Sequence, residues 1–440
     1  CQRHAIKPIR NHGSLAVPPA HAHPFSSTEF VVPRPLPAPP HRRVSRPFVS
    51  AILSTFAASC FLVAMLPIDA RAGDRATGNR EIVDVFVPKQ DGYPAIRIPS
   101  LVTTNDGTLL AFAEGRQGGD HSDNDMIMKR STDNGSTWSD VVLMNDQGKL
   151  SLNNPQAVVL DSGRVLLMYQ RSKLGEHNAS DGYGPDSYFT FVQTSDDDGQ
   201  TWSAPHDVSK QVKREKNVTS VAAGPGIGII LRNGSHKGRI IMPFNQGPYN
   251  NWRVYAAYSD DDGQTWNIGD VAPGDGKGHA NEVQMVELAD GRVMLNARTQ
   301  GKGSTKHRKV AVSDDGGQTW SKLQIDQTLI EPTYQASILR YSWPSEGKSR
   351  ILFANPASQT KRENGVLRVS YDEGRTWPDQ TNIYVGGFAY SCLTRMQDGR
   401  IGVLFERDNY KTISFTAISL SELERSGSQN GSDATDKEEN

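Results

Sequence analysis

The octapeptide Ser131-Thr-Asp133-Asn-Gly135-Ser-Thr137-Trp138 decides the fold of this chain, because its pattern recurs four more times. The later copies begin at Ser195, Ser259, Ser313 and Ser370, so successive copies start 64, 64, 54 and 57 residues apart. All five read Ser-x-Asp-x-Gly-x-Thr-Trp, and a fixed motif at such a period is typical of a repeat architecture. The Asp and Gly favour a tight turn, and we expect the large apolar Trp to pin each turn to its own sheet.

A second repeat alternates with the octapeptides. Six short turns each lead into an apolar run rich in β-branched residues, which is typical of hairpins. The turns lie at 105–107, 161–163, 237–238, 289–291, 346–347 and 397–399. Radially repeated four-stranded sheets form a β-propeller. The sequence therefore predicts an all-β fold, a six-bladed β-propeller of four-stranded antiparallel sheets with five octapeptide turns, in which Ile82–Val87 supplies the missing strand of the last sheet.

Composition excludes two classes of protein. The chain has 440 residues and a formal net charge of −1, which argues against nucleic-acid binding, since such proteins usually present a strongly basic face. Three cysteines, Cys1, Cys60 and Cys392, are too few for a disulfide framework or a Cys-rich zinc site.

The beginning of the chain differs in composition from the rest. A basic stretch, Arg42–Arg46, precedes an apolar run, Phe48–Pro67, and the small-residue stretch Ala70–Ala72. This order is typical of a secretory signal peptide. The alternative is a membrane anchor, because the apolar run is nearly long enough to span a bilayer.

These patterns divide the chain into three segments. We predict a leader and signal peptide over residues 1–72 and a single propeller domain over residues 73–420. Residues 421–440 are polar and charged, which predicts a disordered tail. The signal peptide predicts a secreted or periplasmic protein, with no stable membrane association after processing.

Candidate functional residues are polar side chains that the β pattern does not require. Arg97 interrupts an apolar strand in Ile96-Arg97-Ile98, although alternation alone favours a surface position. The acidic stretch Asp120–Asp125 is a candidate loop for a catalytic acid, with a solvated turn or a calcium site as alternatives. Its spacing does not match an EF-hand.

Further candidates stand in the later repeats. They are Glu282, Arg298, Arg362, Tyr390 and Glu406. Each also has a structural interpretation when taken alone: a solvent-facing strand residue, a surface ion-pair partner of little energetic weight, or a core tyrosine whose hydroxyl is satisfied locally.

Taken together, these motifs resemble those of the bacterial and animal exo-sialidases, glycoside hydrolases with a six-bladed propeller. The resemblance runs from about Val83 to Leu420, and the octapeptides match the Asp boxes of that family, which also occur in unrelated propellers. The specific matches are Arg97-Ile-Pro, Asn281-Glu282 before a Val-Glu-Leu run, and Ala389-Tyr390-Ser391.

The resemblance implies a binding site for a substrate carboxylate. Arg97, Arg298 and Arg362 match the three arginines that hold this carboxylate in the family, and Glu406 matches the acid that orients Arg97. Arginine suits carboxylate binding because its planar guanidinium group donates two hydrogen bonds to a carboxylate and stays positively charged.

The resemblance also implies the reacting groups. Tyr390 matches the nucleophile, Glu282 the base that takes its proton, and Asp120 the acid/base, with Asp123 as the alternative. A neutral phenol approaches a carbon that bears a carboxylate with less repulsion than an anion would. With a pKa of about 10, the phenol needs a neighbouring carboxylate as base.

Two further positions bear on substrate binding. Arg116 resembles an additional substrate-binding arginine. Asn154, before Pro155, stands where many bacterial members carry Asp, which puts fine specificity in doubt but not the reaction type.

The implied function is a retaining exo-α-sialidase that releases terminal sialic acid from glycoproteins, glycolipids or oligosaccharides through a tyrosyl-enzyme intermediate. We expect no metal and no organic cofactor, sialylated glycoconjugates as partners, no nucleic acid, and a monomer. The alternatives are a non-catalytic sialoglycan-binding propeller and a trans-sialidase. A pure binding module does not require Tyr390, Glu282 and Asp120, and the presence of all three favours an enzyme.

Overall fold

Strands make up nearly all of the regular structure. In this computed structural model, residues 80–173 and 175–429 are described, and the predicted leader and signal peptide lie outside them. The first strands are β1 (Val83–Phe86), β2 (Ala95–Thr103), β3 (Leu109–Arg116), β4 (Asn124–Ser131), β5 (Val142–Asn145), β6 (Ser151–Val159), β7 (Val165–Ser172), β8 (Phe189–Ser195), β9 (His206–Asp207), β10 (Val221–Ala223), β11 (Gly226–Ile227) and β12 (Ile229–Ile230).

The remaining strands follow at similar intervals. They are β13 (Ile240–Gln246), β14 (Arg253–Ser259), β15 (Asn267–Ile268), β16 (His279–Glu287), β17 (Val293–Gln300), β18 (His307–Ser313), β19 (Gln324–Ile330), β20 (Ser337–Ser342), β21 (Arg350–Pro356), β22 (Glu363–Ser370), β23 (Asp379–Arg395), β24 (Ile401–Arg407) and β25 (Thr412–Ile418). Helical segments are α1 (Gly175–Asn178), α2 (Ser209–Val212), a 3-10 turn (Pro344–Glu346) and α3 (Leu420–Gln429). The all-β prediction is confirmed.

Hydrogen bonds join the described strands into four continuous sheets of seven, five, nine and four strands, not into six separate sheets of four. Two features merge neighbouring groups. Strands β4 and β6 pair in parallel at Asn124 and Ser151, and the 17-residue strand β23 pairs with β22 and then with β24. Strand β1 pairs antiparallel with β25, with Val83 opposite Phe415, so Ile82–Val87 does supply a strand beside the last hairpin.

Each octapeptide forms a turn that is closed by its own side chains. In the first copy, the Asp133 carboxylate accepts hydrogen bonds from the backbone N–H of Thr137 at 2.9 Å and from its hydroxyl at 2.6 Å. The Ser131 hydroxyl accepts from the backbone N–H of Gly135 at 2.9 Å. The same three bonds recur in the other four copies. The turn therefore satisfies its polar groups locally.

The tryptophans of the first two turns pack on a neighbouring group of strands, which corrects the expectation that each would hold its own. Trp138 follows β4 but meets Phe415 of β25 edge-on, with ring centroids 5.6 Å apart. Trp202 follows β8 but meets Phe112 of β3 at the same distance. Gly135 has a φ of 85°, and a Cβ there would lie 2.1 Å from the Phe415 ring. The turns therefore hold successive groups of strands together.

The segment Gly224–Gly226 lies at the centre of this arrangement. Buried side chains on β2, β6 and β16, and one in the loop before β20, donate hydrogen bonds to its carbonyl oxygens. Gln156 (2.6 Å) and Gln284 (2.8 Å) donate to the carbonyl oxygen of Gly224, Gln335 (3.0 Å) donates to that of Pro225, and Ser100 (2.6 Å) donates to that of Gly226. Because these donors are far apart in sequence, this short segment ties the strand groups to one another.

The end of the described chain differs from the prediction of disorder beyond residue 421, because α3 continues to Gln429. Leu423 is fully buried in the core, and Glu424 pairs with Arg350 at 2.9 Å. An apolar anchor and the ion pairs of Glu422 and Glu424 hold a segment whose composition is polar, and composition alone does not reveal them. Residues 430–440 lie outside the described part. Across the described residues, no helix combines the length and apolarity needed to cross a membrane.

We predict that Gly224→Ala strongly destabilises the fold. A Cβ at this position would lie 1.7 Å from the carbonyl oxygen of Val283, which is backbone and cannot rotate away. We expect the free energy of unfolding to fall by about 3 kcal/mol or more, measured by denaturant unfolding. Gly274→Ala is the control, because a Cβ there meets nothing within 4 Å. Equal stability of the two variants would contradict the central position of this segment.

Candidate active site

A polar cavity of about 420 Å³ opens where β2 and β16 begin and where their antiparallel partners, β3 and β17, end. Strand pairing explains the grouping, because Arg97 lies opposite Glu114 and Asn281 lies opposite Arg298. Eight of the nine site residues predicted from the sequence line this one cavity: Arg97, Arg116, Asp120, Asn154, Glu282, Arg298, Arg362 and Tyr390. The ninth, Glu406, is fully buried behind Arg97.

Strands β2, β6, β16 and β23 break register where they reach the cavity. The shifts fall between Arg97 and Ser100, Asn153 and Gln156, Asn281 and Val283, and Phe388 and Ser391. Three residues within these bulges have left-handed φ angles, namely Ile98 (62°), Asn154 (55°) and Glu282 (39°). A bulge re-aims side chains, and left-handed backbone is strained for a β-branched residue such as isoleucine. These three strained positions lie where the site is built.

Glu406 fixes the direction of Arg97. Its two carboxylate oxygens accept from Arg97 Nε at 2.6 Å and from Nη2 at 3.2 Å. The same carboxylate accepts the backbone N–H groups of Ile98 at 2.9 Å and Tyr390 at 3.2 Å. Burial disfavours the charge on Arg97, but the attraction of Glu406 outweighs it and raises the Arg97 pKa. The guanidinium therefore stays charged and its direction is set by a two-point contact.

Tyr390, Glu282 and Arg298 form a second connected group. The Tyr390 hydroxyl donates to the Glu282 carboxylate, and Arg298 Nη1 contacts the same hydroxyl at 3.1 Å. Arg298 also pairs with the other oxygen of Glu282. Burial, and then the negative charge of Glu282, raise the pKa of Tyr390 well above its ordinary value. The phenol is thus neutral at neutral pH, with a carboxylate placed to accept its proton.

A third group consists of Glu114, Arg116 and Asp120. Fully buried Glu114 accepts from Arg116 Nε at 2.7 Å and from the backbone N–H of Asn154 at 2.6 Å. Arg116 in turn pairs with Asp120. Partial desolvation works to raise the Asp120 pKa, but the Arg116 guanidinium prevails and holds that pKa below its ordinary value. Asp120 is therefore ionised at neutral pH in the absence of a ligand.

Asp123, the alternative acid, does not line the cavity. It lies with Asp125 and Asp146, and their carboxylate oxygens are within 4.8 Å of one another. Asp125 accepts a hydrogen bond from the Tyr93 hydroxyl at 2.8 Å. These three are the residues in the described part of the chain that are grouped closely enough to share a cation.

Sequence reasoning missed several residues of the cavity wall. They are Glu114, His121, His177, Tyr249, Trp252 and Tyr334. Glu114 lies two residues before Arg116 on the same face of β3, so alternation along this strand could have indicated it. The others come from the connections between strands, including the short helix α1, and no repeat marks them. His177 lies in α1 and Tyr249 in the loop between β13 and β14, yet their ring centroids lie 3.7 Å apart.

Comparison with known proteins gives this site a context. The chain matches the BNR repeat-like domain over residues 107–403. It is 34% identical over 388 residues to a sialidase of Micromonospora viridifaciens, a match that covers 83% of this chain and 58% of that protein. It is 30% identical over 355 residues to a sialidase of Paraclostridium sordellii, covering 74% of this chain and 85% of that one.

Structural comparison agrees. A Hadza microbial sialidase superposes with a TM-score of 0.69 at 29% identity, covering 77% of this chain and 68% of that chain. The fold and the matched repeats define a BNR-repeat protein. Within that class, the chain belongs to the sialidase family. It spans little more than half the length of the Micromonospora relative, at 58%.

We predict that Arg116→Gln raises the pKa of Asp120, because the cation that stabilises its carboxylate is removed. Carbon-detected NMR titration of the aspartate carboxyl groups measures this directly. Arg164→Gln is the control, since Arg164 pairs with the exposed Asp196. An Asp120 pKa that is unchanged or lowered in Arg116→Gln would contradict the electrostatic account of this group.

Proposed function

We propose that the chain is a retaining exo-α-sialidase that hydrolyses terminal α-linked sialic acid from glycoproteins, glycolipids or oligosaccharides. The observation that carries the proposal is the hydrogen bond of the Tyr390 hydroxyl to Glu282, in a cavity that also holds Arg97, Arg298 and Arg362. A buried phenol with its own base beside several guanidinium groups suits attack on a carbon that bears a carboxylate.

In the first step, the arginines hold the substrate carboxylate and the Tyr390 oxygen attacks the anomeric carbon. As that bond forms, the phenolic proton passes to Glu282, and the bond to the leaving oxygen breaks. Asp120 protonates the leaving oxygen. Arg116 keeps Asp120 ionised in the free protein, and the negative charge of a bound substrate raises the Asp120 pKa by Coulombic repulsion, so the acid gains its proton as substrate binds.

In the second step, Asp120 takes a proton from water as the water oxygen attacks the same carbon. The bond to Tyr390 breaks, and Tyr390 regains its proton from Glu282. Two displacements at one carbon retain its configuration. The chain's own side chains supply each proton transfer, so the proposal needs no organic cofactor.

The finer architecture and the location belong to the same proposal. We infer a ring of six blades with five Asp boxes, supported by the six hairpin turns and by the pairing of β1 with β25. We also infer export through the signal peptide within residues 1–72, supported by the basic, apolar and small-residue order of that segment.

The test is hydrolysis of a fluorogenic aryl α-sialoside by the full chain and by Tyr390→Phe. We expect clear turnover by the parent and a loss in kcat of about 10³-fold or more in the variant, since the nucleophile is removed. Tyr371→Phe is the matched control, because its hydroxyl contacts Asp379 and Glu424 away from the cavity.

Each other outcome identifies an alternative. Equal activity of parent and Tyr390→Phe would contradict the tyrosine mechanism. A folded parent that binds sialic acid without turnover would be a binding module. Transfer of the sialyl group to added lactose in preference to water would make the chain a trans-sialidase.

A further inference from the structure

The turn between β24 and β25 has an unusual backbone. Three successive residues, Asp408, Asn409 and Tyr410, have left-handed φ angles of 52°, 57° and 64°. None is glycine, and residues with a side chain adopt this conformation at a cost in energy. Such a run persists only where surrounding contacts hold it.

Contacts from β23 hold this turn. The Tyr384 hydroxyl lies 3.0 Å from both carboxylate oxygens of Asp408. The backbone N–H of Asp408 donates to the carbonyl of Gly387 at 2.9 Å. A Cβ at position 387 would lie 3.2 Å from the Asp408 backbone, so glycine permits the close approach. Strand β23 also carries Tyr390, and the turn is therefore anchored to the strand that bears the proposed nucleophile.

The turn presents Tyr410 to two of the three predicted carboxylate-binding arginines. The Arg97 guanidinium lies over the Tyr410 ring, with Cζ 3.8 Å from the ring centroid. The Tyr410 hydroxyl contacts Arg362 Nη1 and the hydroxyl of Tyr334. Tyr410 itself does not line the cavity. It therefore contacts the arginines from outside the cavity lining.

Arg362 is the arginine that depends most on this support. Arg97 pairs with Glu406 and Arg298 with Glu282, whereas no ion pair involves Arg362 among the described residues. Arg362 is exposed at the cavity rim, and its guanidinium lies 3.5 Å from the centroid of the Tyr334 ring. A carboxylate partner would fix this side chain but cancel much of its charge. A phenol hydroxyl and an aromatic face fix it and leave the charge for a ligand.

We propose that Tyr410 is a positioning residue that orders Arg362 through its hydroxyl and Arg97 through its ring, so that both guanidinium groups face the substrate carboxylate and Arg362 does so without a carboxylate partner in the described part of the chain. This inference rests on the proposed function. Two variants separate the two contacts: Tyr410→Phe removes the hydroxyl and keeps the ring under Arg97, whereas Tyr410→Leu removes both.

The experiment compares two ligands that differ only in the group that the arginines recognise. The first is the 2,3-didehydro derivative of sialic acid, and the second is its methyl ester, which lacks the negative charge. Calorimetric titration of the full-length parent, Tyr410→Phe and Tyr410→Leu measures both affinities. Tyr371→Phe serves as the matched loss of a tyrosine hydroxyl outside the cavity.

We expect Tyr410→Phe to weaken binding of the acid about tenfold, the usual effect of losing a hydrogen bond to a charged group. We expect the ester to change by less than about twofold, since the arginines gain little from a neutral group. Tyr410→Leu weakens binding of the acid further. Unchanged affinity for the acid, or an equal loss for acid and ester, overturns the inference.

The same titration separates this inference from the proposed function. Binding of the acid by the parent reports on the proposed function alone, and a folded parent that binds neither ligand defeats both proposals. If the parent binds the acid, the ratio of acid to ester affinity in the variants reports on Tyr410. Thermal unfolding of each variant identifies a general loss of structure, which would lower both affinities together and overturn the positioning role.

Discussion

The constraint on which this structure depends is the repulsion among four guanidinium groups gathered in one cavity. Like charges at short range are unfavourable unless each has a partner that the fold supplies. The partners stand around or behind the cavity: Glu406 with Arg97, Glu114 with Arg116, Glu282 with Arg298, and Tyr410 with Arg362. Three arginines are thus paired with carboxylates, and the fourth keeps its charge beside a phenol.

A buried carboxylate is itself costly unless its oxygens are fully hydrogen-bonded. Glu406 meets this requirement by accepting two bonds from Arg97 and one each from the backbone N–H groups of Ile98 and Tyr390. Both backbone donors lie within register shifts of their strands. The bulges therefore do two things at once: they turn Arg97 and Tyr390 towards the cavity, and they free the N–H groups that stabilise the carboxylate behind them.

Local patterns made much of the fold predictable. The octapeptide turns close through their own side chains, so a short motif suffices to identify them, and the hairpin turns mark the strands. Long-range packing was not predictable in the same way. The joining of β4 to β6, the contact of Trp138 with Phe415 and the burial of Leu423 depend on residues that meet only in the folded chain.

The same division holds at the site. Resemblance to a family identified residues that carry a motif, and the structure brings Arg97, Glu282 and Tyr390 into one cavity. The resemblance gave no sign of Tyr334 or Tyr410, because each lies in a connection without a motif and acts through an arginine far away in sequence. Residues that position others are fixed by geometry, which a linear pattern does not record.

The most direct test of the account is covalent trapping by a 2,3-difluoro derivative of sialic acid. Fluoride at the anomeric carbon leaves readily, whereas fluorine at the adjacent carbon slows hydrolysis of the adduct that forms. The full chain would be incubated with the compound, digested and sequenced by mass spectrometry. The account predicts one sialyl adduct on the Tyr390 side chain, and an adduct on Glu282 or Asp120, or hydrolysis of the compound with no adduct on Tyr390, would contradict it.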